Sequence, residues 1–136
     1  MIDTNVVVSA LLHSGSLPEA VLNLAVSSNV RWIASEPILA EYVEVLQRPR
    51  LAIDSSKMSE ALARIRASVL LVVPGVRVEA TNDPDDNMLL ECAQAGDADH
   101  IVTGNTRHFP KVWQKTRIVT PREFIEVWTG APDDSP

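Results

Sequence analysis

His100-Ile101-Val102-Thr103-Gly104-Asn105 is a short β-branched apolar run that ends on a polar turn. Such a run reads as a strand buried on both faces, with Thr103-Gly104-Asn105 at its carboxyl end. Upstream lies a helical stretch that carries Leu89 and Ala93, opens at Asp83-Pro84 and closes near Gly96. Downstream, Arg117–Val119 repeats the apolar strand pattern and Pro121–Trp128 predicts a short helix. The same alternation runs back to the start. Met1–Ile2 and Val30–Ala34 read as strands. Leu17/Val21/Leu24, Ile38/Tyr42/Val45 and Met58/Leu62/Ile65/Val69 step by three and four, as helices do. Ser16 with Pro18, and Ser35 with Pro37, mark two of the helix starts. Strands separated by helices predict an α/β fold with a mostly parallel sheet. In such sheets ligands bind beyond the carboxyl ends of the strands.

The 136 residues fit one domain, expected over 1–129, followed by a polar, breaker-rich tail over 130–136. Twelve Lys+Arg against 18 Asp+Glu give a formal charge of -6, which at first sight opposes a nucleic-acid partner. No uncharged run approaches the ~20 apolar residues that span a bilayer, and no leader pattern opens the chain, so a cytoplasmic protein with no membrane role is expected. A single cysteine, Cys92, excludes an internal disulfide and a multi-cysteine zinc site. His13, His100 and His108 show no zinc-type spacing, and neither GxxxxGK[ST] nor GxGxxG occurs. The acids are uneven, however, and so are the bases. Arg107, Lys111, Lys115, Arg117 and Arg122 fall in a stretch without any acid. Of these, Arg107, Lys111 and Lys115 are candidate contacts to nucleic-acid phosphates. Trp113, in the same stretch, is a candidate for stacking on a base or for packing.

Several acids sit where a structural role alone does not explain them. Asp3 follows the first strand. Glu41 lies on the apolar stripe between Ile38 and Val45, where an unpaired carboxylate costs several kcal/mol, roughly. Asp83, Asp85 and Asp86 put three acids at one helix start, more than capping requires. With Thr103 and Asn105 they supply oxygen donors from separate segments that a parallel sheet gathers at one edge. Mg²⁺ or Mn²⁺ takes such ligands, and either suits phosphodiester hydrolysis.

Met1–Leu12, Ser35–Tyr42, Asp83–Met88, Ile101–Asn105 and Ile118–Phe124, in this order, resemble the PIN domain family, in particular the toxins of prokaryotic toxin–antitoxin systems (the VapC-like ribonucleases). The resemblance implies a three-layer α/β/α fold around a sheet of about four to five strands, and a metal-dependent endoribonuclease. It makes Asp3, Glu41 and Asp86 the metal carboxylates, with Thr4, Asn5 and Thr103 orienting them. Asn105 stands where the family usually has a fourth acid. An amide there can coordinate or orient water but brings no charge and no general base. The implied partners are RNA, a cognate antitoxin protein and a second copy of the chain. Two other classes compete. A catalytically weak module that binds RNA or a protein is favoured by Asn105, and an aspartate phosphotransferase is opposed by Asn5, where a second aspartate is usual. Only Met1 and Ile2 precede Asp3, whereas a strand usually has about 5–6 residues. This leads to the expectation that the true start lies upstream.

Overall fold

The computed structural model describes residues 1–27 and 30–130. Residues 131–136 of the expected tail lie outside the described residues. Among the described residues six α-helices and five short strands follow one another: α1 Thr4–Leu12, α2 Leu17–Val26, β1 Trp32–Ala34, α3 Glu36–Leu46, α4 Ser55–Ser68, β2 Val69–Leu71, α5 Pro84–Ala95, β3 His100–Val102, β4 Val112–Trp113, β5 Thr116–Val119 and α6 Pro121–Thr129.

The helix starts obey local chemistry. Ser16 and Ser35 hydroxyls accept from the amides of Glu19 and Ile38, at 3.3 and 3.4 Å. Thr120 and Glu123 close a reciprocal capping box at the head of α6. Asp83 caps α5 by accepting from the Asp85 amide at 2.9 Å. Gly96 ends α5 where the helix meets β1. A Cβ there would stand 2.6 Å from Ile33 Cγ2, so only glycine permits this approach.

Strands form two ladders. β1 pairs with β2 in parallel; β3 pairs with β5 in parallel, and β4 adds antiparallel to β5. Ile2 joins β3 through one parallel bridge to Val102. The α/β class is as expected, but the four to five strands are not laid down as one continuous ladder among the described residues. Between the helices and the strands lies one apolar core that includes Val7, Val21, Trp32, Ile38, Leu90 and Ile101, each almost fully buried. Tyr42 is buried with it and donates its hydroxyl to the Ile2 carbonyl.

Three elements differ from the sequence reading. α1 forms where no helix was assigned, because Val6, Val7, Ala10 and Leu11 share one buried face. β2 breaks away at Val69, which the helical stripe of Met58–Ile65 had absorbed. β4 places Trp113 in a strand rather than a loop, half-buried against the core, which favours packing over base stacking. Among the described residues no helix is long and apolar enough to cross a membrane.

Candidate metal centre

Asp3 is the residue between the Ile2 bridge and α1. Its amide donates to the Val102 carbonyl at 2.9 Å, which fixes the chain beside β3. Its carboxylate then lies at the carboxyl end of β3, where the buried Thr103 hydroxyl donates to Oδ2 at 2.8 Å. The same Thr103 oxygen accepts from the Asn105 amide at 3.0 Å, so one buried hydroxyl ties the carboxylate to the following turn.

Glu41 comes from the middle of α3 and is half-buried, as its place on the apolar stripe implied. Asp86 comes from the first turn of α5, with its side chain 13% exposed. Asn87 fastens the segment ahead of this turn. Its Oδ1 accepts from the Thr81 amide at 2.9 Å and its Nδ2 donates to the Thr81 carbonyl at 3.1 Å.

Each of these acids feels the charge of other acids at this edge. Burial raises the Asp3 carboxyl above its ordinary value, the bonds from Thr103 and the Asn5 and Thr4 amides oppose this, and the Asp83 charge adds to it. Burial likewise raises Glu41; the Thr4 hydroxyl eases it, and Asp85, Asp3 and Asp83 add repulsion. Asp86 is pushed up to about 6, by burial first, then by Asp83 and Asp3, with His108 opposing and Asp85 adding. Carboxylates held together without a cation destabilise each other's charged forms.

Asp3, Glu41 and Asp86 thus converge from three segments far apart in sequence, with Thr4 and Thr103 beside them. Asn5 and the Asn105 side chain are exposed at the same edge, Asn105 lying at the start of the turn after Thr103. Arg107 is on that turn and exposed, and Lys111 precedes β4 with its carbonyl bonded to the Ile118 amide. Lys115 is not brought to this edge. It precedes β5, at the amino end of the ladder, 3.6 Å from Asp99. His108, without any telling spacing in the sequence, does reach the acids: its Nδ1 is 3.8 Å from Asp86 Oδ2. Its position three residues after Asn105, in the turn beyond a strand's carboxyl end, was the available signal.

Among the described residues no three His, Cys, Asp or Glu side chains are close enough to hold an ion as they stand. The donor chemistry nevertheless fits one. Oxygen donors dominate, and their carboxyls are raised by burial and mutual repulsion, which a divalent cation would relieve.

A family model described as PIN domain matches residues 1–107. The chain belongs to the PIN domain family. PIN domains are three-layer α/β/α folds and generally metal-dependent nucleases. This PIN domain is also similar to an uncharacterized protein of Methanocaldococcus jannaschii, 26% identical over 137 residues that cover 93% of this chain and 88% of that one.

Proposed function

We propose that this PIN domain is an endoribonuclease dependent on Mg²⁺ or Mn²⁺, and that it serves as the toxin of a toxin–antitoxin pair. The observation that carries the reading is the convergence of Asp3, Glu41 and Asp86 at one edge, each with its carboxyl raised by burial and by neighbouring acids. These three hold the ion. When bound, the ion polarises the scissile phosphate and activates water. Thr103 keeps the Asp3 Oδ2 lone pair directed through its hydrogen bond, and the Thr4 hydroxyl eases the charge of Glu41. Asn105 contributes an amide, so removal of the water proton falls to the carboxylates. Arg107 and Lys111 are placed to receive RNA phosphates, a protein antitoxin covers the same edge, and the active form is a homodimer in the cytoplasm.

The test is hydrolysis of RNA by the purified chain with Mg²⁺ or Mn²⁺, with EDTA, and with Asp3→Asn. Cleavage is expected with metal and at background in the other two. Cleavage that survives both changes refutes the mechanism. Asn105 supports a second reading, a weakly catalytic module that binds RNA or a protein. Asn105→Asp separates the two, since a large rise in rate marks the native site as impaired.

A further inference from the structure

Each proposed ligand has a different companion. Asp3 is tied by the Thr103 hydroxyl at 2.8 Å and Glu41 has the Thr4 hydroxyl beside it. Asp86 faces an imidazole. The His108 Nδ1 to Asp86 Oδ2 distance of 3.8 Å is well beyond the 2.7–2.9 Å, roughly, of a charge-assisted hydrogen bond. The two groups therefore confront each other across a gap.

The backbone of His108 is held in place. It sits in the tight turn Thr106–His108, where its amide donates to the Asn105 carbonyl at 3.0 Å. The next residue, Phe109, is buried and donates its amide to the Thr106 carbonyl at 3.2 Å. The turn is joined at its head to Asp3 through Asn105 and Thr103. One short segment thus carries both the Thr103 hydroxyl on Asp3 and the backbone from which the imidazole faces Asp86. Among the described residues His108 is also the only basic side chain within ion-pair distance of the acids at this edge.

We infer that His108 is a nitrogen donor to the metal held by Asp86, and that it biases the site toward first-row transition dications over Mg²⁺. The inference rests on the metal-site reading proposed above. Its basis is ligand preference: Mg²⁺ takes oxygen almost exclusively, whereas imidazole favours the later first-row ions. Asn105 adds no charge beside it, so an imidazole alters the donor set more than it would among four carboxylates.

Binding of Co²⁺ and of Mg²⁺ is measured by calorimetry, with the visible bands of Co²⁺ as a second readout, for the wild type, His108→Ala, His108→Asp and Asp3→Asn. His108 is exposed, and thermal melts check that each variant folds. His108→Ala is expected to lose about tenfold or more in Co²⁺ affinity, to shift the Co²⁺ bands, and to change little toward Mg²⁺. His108→Asp is expected to move the preference back toward Mg²⁺. Tighter binding of both ions in His108→Ala shows His108 to be only a counter-charge and overturns the inference. Equal weakening of both ions, or no change in either, overturns it as well. If the wild type binds neither ion, or Asp3→Asn binds both as the wild type does, the metal-site reading itself fails and the inference falls with it.

Discussion

The two ends of the sheet handle charge in opposite ways. At the carboxyl end, Asp3, Glu41 and Asp86 are drawn partly out of water, and the one basic partner faces Asp86 from 3.8 Å. At the amino end, Asp99 is 83% exposed and has Lys115 at 3.6 Å. A groove of about 470 Å³ opens there, walled by Trp32, Phe124 and Trp128 and edged by Arg31, Asp99 and Lys115. Asp99 is hydrated and paired, whereas the three carboxylates at the other end are partly buried and crowded by neighbouring acids. The difference teaches that the fold tolerates mutual repulsion at one edge only. Acids perturbed by burial and by one another mark a candidate functional site.

The sharpest way to break this contrast is Thr103→Val. It keeps the shape of the buried side chain but removes the donor to Asp3 Oδ2. Under the proposed function, metal affinity and RNA hydrolysis fall by about 10–100-fold, while thermal stability changes far less. An unchanged metal affinity would show that the Thr103 bond plays no part in the site.

Next in size is Asp86→Asn, measured in EDTA. The folded Asp86 carboxyl titrates at about 6, against about 4 when unfolded. The folded state therefore takes up the proton first as pH falls, and the cost of the buried charge is complete above pH 6 and gone below about 4. Asp86→Asn is expected to raise the melting temperature at pH 7.5 and to give no gain near pH 3.5. A loss of stability at pH 7.5 contradicts the assignment of Asp86 to the repelling set.

The smallest effect belongs to the other end. Lys115→Ala removes an exposed pair worth about 0–1 kcal/mol and is expected to leave hydrolysis unchanged. A marked loss of activity would bring the amino end into the RNA path and erase the contrast.

Much of this was legible in the sequence. Serine and aspartate caps marked the starts of α2, α3 and α5, because capping is chemistry within four residues. Glu41 stood out because it broke a helical stripe. The missed elements depend on distant partners. The Val6-Val7-Val8 run has strand propensity yet forms α1, since its buried face packs on α2 and α3. β2 and β4 are three and two residues long, too short for a period to show. His108 was passed over because its only relation to Asp86 is spatial, 22 positions away in sequence. Lys115 looked equivalent to Arg107 and Lys111 until the antiparallel turn between β4 and β5 carried it to the far end.

The bond between Thr103 and Asp3 joins residues 100 positions apart. A growing chain therefore cannot complete its site until most of the polypeptide has been made. At ribosomal rates of about 5–20 residues per second, Asp3 waits roughly 5–20 s for its partner. Ile2 likewise has no bridge until Val102 emerges. A site that needs both early and late segments stays incomplete until both have been made.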